Sequence, residues 1–393
     1  MDRFKALFTP KDKLQRIRLY TASFAIDCAW TGFSFAVSWH AEKFYEVGYE
    51  ILGYLGAAGA CAYAPLTLVA GWLSDRMEPE KIFRSALVSL LACLGFLLFM
   101  DSIIGLFIAV SWVAASFAFF WAPIQNKLST VTTESSLGPV LGVFNICWCC
   151  GVFVGPIISS WAYSVSGFYG SLAASGIIII AALFILAPAF PRTMLLPRPE
   201  PLLNNHNNSR YALMFLSIAR LAVFAGYFVV TGITRLFPRF ATYFGIDVVT
   251  AGTLISVIFA GQTLTFLILR YTSRWQYSFK TLVALQIVTF VGLVLIPFTR
   301  SMLLIGIILC SVGALIGLVY YSSLFYALAL RDQAGRRSGI HEAMVGSGAA
   351  IGPLLGGWTG SLTGQPWSPF MIGAGIIIAA LTVEIIFFMK TRE

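Results

Sequence analysis

Charge is scarce in this chain. Acidic and basic side chains make up 11% of its 393 residues, where a soluble domain carries about 25%. With 58% hydrophobic residues and a mean hydropathy of +0.83, most of the chain cannot face water. Histidine is rarer still, at three residues, and no cluster of His, Cys and carboxylates has metal-site spacing. The seven cysteines, at 28, 61, 93, 147, 149, 150 and 310, all sit inside apolar runs. That argues for buried thiols and against a disulfide framework. Cys147, Cys149 and Cys150 diverge on a helix without an adjacent His or carboxylate, so no metal is expected. There is no Walker A run, catalytic triad or metalloprotease motif. ATP-driven transport, enzymatic activity and a bound cofactor are therefore not expected. No signal-peptide pattern opens the sequence, whose basic amphipathic start leads straight into an apolar span.

Long apolar runs dominate. A spanning helix needs about 20 largely apolar residues. Twelve such runs lie at roughly 17–39, 49–71, 82–100, 103–125, 138–162, 167–188, 211–237, 250–269, 281–298, 302–328, 339–362 and 368–389. Helices are required, because each run must satisfy its own backbone in lipid. Residues 189–210, rich in Pro and Asn, form a linker between an N-terminal bundle (1–188) and a C-terminal bundle (211–393). With both termini cytoplasmic, all but five of the 26 basic residues fall on the cytoplasmic side. The exceptions are Lys43, Arg239 and Arg300 in outer loops, and Arg220 and Arg235 within span 7. This positive-inside bias predicts a multi-pass protein of the inner (cytoplasmic) membrane, and the lipid bilayer as a partner. It also accounts for the net charge of +9 without a nucleic-acid partner.

The two halves repeat. Gly142, Gly151, Gly155, Pro156 and Trp161 of span 5 recur as Gly339, Gly348, Gly352, Pro353 and Trp358 of span 11, always 197 residues on. Gly48 and Gly245 keep the same offset. Spans 1–6 thus match spans 7–12 in parallel, and substrate sites of such proteins lie near the midplane between halves. Glycines four apart allow close helix approach, and the prolines can kink the spans.

Between spans 2 and 3 the sequence carries Gly71, Leu73, Asp75 and Arg76, then Lys81 and Arg84. Such a cluster can latch the halves through helix-end and ionic contacts. This G-x-L-x-D-R loop resembles that of the major facilitator superfamily. The G-x-x-x-G-P run at Gly151, Gly155 and Pro156 resembles the motif of its drug:proton antiporter branch. Some features depart from the family pattern. Glu78 stands where the loop has Gly, the second-half loop 269–280 lacks an Asp, and Ser159-Ser160 replace a Gly pair that span 11 keeps as Gly356-Gly357. The resemblance covers nearly the whole chain. It implies an all-α membrane fold of twelve helices in two pseudo-symmetric six-helix bundles that rock in alternating access. It also implies a latch role for Asp75 and Arg76, and a bending or sealing role for Gly151, Gly155 and Pro156.

Charges inside spans are costly, at least ~2.5–3.5 kcal/mol, and are functional by default. Asp27 lies mid-span on a polar stripe with Ser23, Thr31, Ser34 and Ser38, and suits proton exchange or substrate binding. Arg220 is expected at similar depth in span 7, on a stripe with Ser217, Phe224, Tyr227, Thr231 and Thr234. Its lasting charge calls for Asp27, a substrate carboxylate or phosphate, or a water-filled cavity. His341 and Glu342, near Arg336 and Arg337, are expected to form a cytoplasmic gate; Glu342 aligns with Asn145 in the repeat. Glu384 is expected at the membrane interface. By the resemblance, spans 4 and 10 join 1 and 7 around a cavity, bringing in Trp112, Phe117, Phe120 and Trp121, and Tyr320, Tyr321 and Tyr326. Gln262 is a further polar candidate. Aromatic walls with sparse hydroxyls suit amphipathic or ring-bearing solutes.

The leading expectation is a monomeric secondary transporter exporting small amphipathic compounds, with protons or another ion as the coupling partner. A symporter or exchanger for an organic anion or sugar is the alternative. A non-transporting receptor or assembly factor on the same fold is a third.

Overall fold

The computed structural model describes residues 10–74, 76–100, 102–130, 137–188, 206–329 and 334–392. Among these the chain is helical, with no strand. The first half holds α1 (Pro10–Phe44), α2 (Tyr49–Ser74), α3 (Pro79–Phe99) and α4 (Ile103–Thr130), followed by the segment Leu137–Leu186. A 45-residue apolar stretch of that segment, Gly142–Leu186, would measure about 68 Å as one helix. A hydrocarbon core is only about 30 Å thick. The segment breaks at Ser166 and at Gly167, whose φ of +63° suits a residue without Cβ. This yields α5 (137–165) and α6 (168–186). The second half holds α7 (His206–Tyr243), α8 (Val248–Tyr271), α9 (Phe279–Leu295), α10 (Met302–Ala329), α11 (Ala334–Thr363) and α12 (Ser368–Arg392). The linker lies outside the described residues through 205.

Among the described residues, nine segments, with Gly142–Leu186 counted once, are long and apolar enough to cross a membrane. The helices that fall short are α1 and α11. Both line the interior, where their polar residues serve a cavity rather than lipid. With twelve helices running alternately up and down, Pro10 and Arg392 lie at one end of the molecule, here called the terminal end; the opposite end is the far end.

Each half has its own apolar core. One gathers buried residues mainly from Leu19 to Leu186, the other mainly from Met214 to Ile377. Within each bundle the glycine helix lies directly on the first helix. A Cβ at Gly151 would collide with the Phe24 carbonyl, and one at Gly155 with the Cys28 carbonyl. Gly348 and Gly352 stand in the same way against the Phe224 and Phe228 carbonyls. This pairing sets the symmetry. The glycine helices repeat at 197 residues, but α1 repeats in α7 at 200. Thr31 and Thr231 mark it again, each donating to the carbonyl four residues earlier, Asp27 and Tyr227.

The bundles meet at the far end. Tyr49 Oη donates to the Pro366 carbonyl at 3.2 Å. Arg239 pairs with buried Glu42 at 3.0 Å. Gly53 of α2 sits against the Pro353 carbonyl of α11.

Candidate functional site

A cavity of about 460 Å³ lies between the bundles, lined from α1, α2, α4, α5, α7, α8, α10 and α11. The far-end contacts seal it on one side. On the other, Gln125 near the terminal end of α4 is both exposed and part of the wall, so solvent reaches the cavity from that end.

Among the described residues, three charged side chains face it. Asp27 is 3% exposed, and its Oδ2 has no hydrogen-bond partner among the described residues. Glu342 enters from α11 and Arg235 from α7, both half-buried. Tyr63, Tyr227 and Tyr320 lie within reach of the charges of both Glu342 and Asp27. Trp30 stacks on Phe117, with ring centroids 4.8 Å apart. Trp148 bridges the bundles, edge-on to Phe266 and to Tyr320 at 5.9 Å each. Its Nε1 donates to Asn145 Oδ1 at 3.0 Å. The result is an aromatic chamber with two acids and one guanidinium. No group of three or more His, Cys, Asp and Glu able to hold a metal occurs among the described residues.

Thr31, Ser34, Trp121, Tyr227, Thr231, Gln262 and Tyr320 line this cavity with Asp27. Several expected residues do not. Arg220 is not Asp27's counterpart: the 200-residue register pairs Asp27 with Tyr227 and Arg220 with Tyr20. Arg220 lies outside the wall, its charge felt by His341. Phe120 is fully buried in the first bundle against Trp121. Tyr321 packs edge-on against Trp275. Tyr326 Oη accepts from the Tyr277 amide at 2.7 Å, within the second bundle.

The gate and latch residues disperse likewise. Glu342 belongs to the cavity wall. His341 is fully buried, with Nδ1 2.9 Å from Ser323 Oγ. The side chains of Arg336 and Arg337, and Asp75 as a whole, lie outside the described residues. Gly71 has open space about it. Arg76 stacks on Trp72 at 3.8 Å, and Lys81 pairs with exposed Glu78 at 3.2 Å. Arg84 caps α6, with Nε on the Leu186 carbonyl at 3.0 Å and Nη2 on that of Pro188 at 3.3 Å. These contacts of Arg76, Lys81 and Arg84 all stay within the first bundle. Glu384 is not interfacial. It is 1% exposed and accepts from Gln286 Nε2 at 3.2 Å, joining α9 to α12.

Arg235, Trp30, Tyr63, Asn145 and Trp148 line the cavity without having been singled out for it. Two signals were present. Arg235 continues the Tyr227–Thr231–Thr234 stripe, and Asn145 is the repeat partner of Glu342.

A helical bundle pair enclosing a central, partly charged chamber sealed at one end is the build of a membrane carrier. The Major Facilitator Superfamily model matches residues 19–332. The chain belongs to that superfamily. A variant of the nucleoside transporter NupG superposes with TM-score 0.70 at 15% identity, covering 95% of this chain and 99% of its own. A bacterial homologue of the human lysosomal transporter Spinster, inward-facing and unoccupied, gives TM-score 0.70 at 13% identity, covering 98% of each chain. These likenesses define the fold. No curated protein matches the sequence.

Proposed function

We propose that this protein is a proton-coupled secondary transporter that moves small amphipathic compounds out across the cytoplasmic membrane by alternating access. The observation that carries the reading is the chamber itself, with the unpartnered carboxyl of Asp27 in an aromatic wall between two bundles. Lys and Arg bias puts both termini in the cytoplasm, so the sealed far end faces outward and the cavity faces the cell. Asp27 exchanges the coupling proton, with Glu342 as the second acid on the path toward the terminal end. The glycines of α5 and α11 hold each bundle together, and the Pro156 and Pro353 carbonyls, against Gly252 of α8 and Gly53 of α2, mark the surfaces about which the bundles rock. The functional unit is one chain, whose two bundles wall the cavity between them.

The test is transport in proteoliposomes under an imposed pH gradient. Asp27→Asn is expected to lose gradient-driven transport at least tenfold while retaining solute exchange without a gradient. Unchanged gradient-driven transport in this variant would remove Asp27 from coupling.

A further inference from the structure

The far end of the cavity holds a cation without an anion. Arg235 reaches the cavity from α7, and no ion pair or hydrogen bond engages its guanidinium among the described residues. Its recorded neighbour is the face of Trp30, 5.8 Å away. The stem passes close to α2: a Cβ at Gly56 would fall 2.9 Å from Arg235 Cγ and 2.8 Å from Pro353 Cβ, so glycine there leaves room for both the stem and α11. Glu42, the acid beyond it, is taken by Arg239. Asp27 stands level with Tyr227, eight residues before Arg235, or about 12 Å along the helix. Attraction at about 12 Å is a third of that at contact distance, before water in the cavity screens it further. Arginine does not practically lose its proton. Its charge is therefore left for something that enters the cavity.

A second group waits at the same depth. Ser34, which the 200-residue register sets level with Thr234, lines the cavity, and its Oγ has no partner among the described residues. A serine in a helix ordinarily bonds the carbonyl one turn back; this hydroxyl is left for a ligand. The stacked Trp30–Phe117 pair forms the adjoining wall and favours a flat apolar body.

We propose that the transported solute is a flat organic monoanion, an aromatic carboxylate, whose carboxylate sits on Arg235 with Ser34 completing its hydrogen bonds. The proposal rests on the transporter reading and names its substrate class. One guanidinium fork and one hydroxyl match the two oxygens of a carboxylate; a phosphate dianion would call for a second cation.

Three probes share an indole ring on a short arm and carry an anionic, a neutral or a cationic head group: indole-3-acetate, indole-3-acetamide and tryptamine. Binding to purified protein is followed by thermal shift at neutral pH. Indole-3-acetate is expected to bind at least tenfold tighter than the amide, and tryptamine weakest. Arg235→Gln should abolish the preference for the anion, with Arg235→Lys intermediate because it keeps charge and loses the fork. Equal binding of all three, preference for tryptamine, or no saturable binding of any at millimolar concentration would overturn the proposal, and these rankings need only the wild-type protein. Proteoliposomes separate the two readings. Gradient-driven flux of a neutral or cationic solute at wild-type rate through Arg235→Gln removes the anion site and leaves the transporter. Arg235-dependent binding of indole-3-acetate with no flux under any gradient removes the transporter and leaves the anion site.

Discussion

At the scale of single residues, polar groups here are either spent on structure or left facing the cavity. Asp247 is of the first kind. It caps α8, accepting from the amides of Val249 and Thr250 at 2.9 and 3.0 Å and from the Thr250 hydroxyl at 2.6 Å. The Thr250 hydroxyl and amide hold its carboxyl below the usual aspartate range. A depressed acid stabilises the fold above its unfolded pKa, about 3.9, and that contribution is lost as pH falls through the folded value. Asp247→Ala should cost about 1 kcal/mol at neutral pH. Melting curves in detergent should show the difference from wild type shrinking below about pH 3.9. A difference that grows on acidification would refute the cap. Asp27 is of the second kind, and its prominence was legible in sequence, because a carboxyl deep in an apolar run has few structural excuses. Arg235 was not singled out. Charges toward span ends are ordinary, and only the far-end closure shows that this one is enclosed with the cavity.

At the scale of elements, the approach of α5 to α1 and of α11 to α7 rests on glycine. Gly155→Val and Gly352→Val force a side chain into a neighbouring backbone, and overpacking of this kind costs about 1–3 kcal/mol. Both variants should lower the melting temperature and slow transport, to similar extents because the two sites are related by the repeat. Gly95→Val is the control: a Cβ there meets nothing within 4 Å, so its melting temperature should stay near wild type. If Gly95→Val fell as far as the other two, general intolerance rather than close packing would be the cause. The recurrence of these glycines was visible in sequence, since an apolar helix surface has no other need of them at one offset. The three-residue difference between the α1/α7 and α5/α11 registers also has a trace in sequence, since Ala22, Phe24, Ala25, Thr31 and Gly32 recur 200 residues on as Ala222, Phe224, Ala225, Thr231 and Gly232, but only the packing of α5 on α1 and of α11 on α7 shows that the two offsets differ. That difference moves Arg220 from four to seven residues before the counterpart of Asp27, so it lies about 10 Å nearer the terminal end.

At the scale of the whole molecule, far-end closure is the state to be tested. Glu42 holds Arg239 with its side chain 1% exposed, while Arg239 remains 42% exposed. Glu42→Gln removes the ionic half of the contact and frees the arginine to water, with nothing lost inside either bundle. Spin labels at Phe44 and Tyr243, both exposed near the far end, should report a several-fold larger population at long separation in Glu42→Gln. An unchanged distance distribution would show that Tyr49 and the α2–α11 contact hold the closure without the ion pair.

Composition alone determined that the chain lives in a bilayer, because too few charges exist to cover a soluble surface. The spacing of Gly, Pro and Trp determined that it has two parallel halves. Tertiary structure decided which polar residues share a chamber. Depth and facing depend on helix register and on where the bundles touch, and neither is encoded by any one span. Arg220 and Arg235 are the same residue type on the same helix. Packing put the first behind the wall, where His341 feels its charge, and the second at the closed end of the cavity.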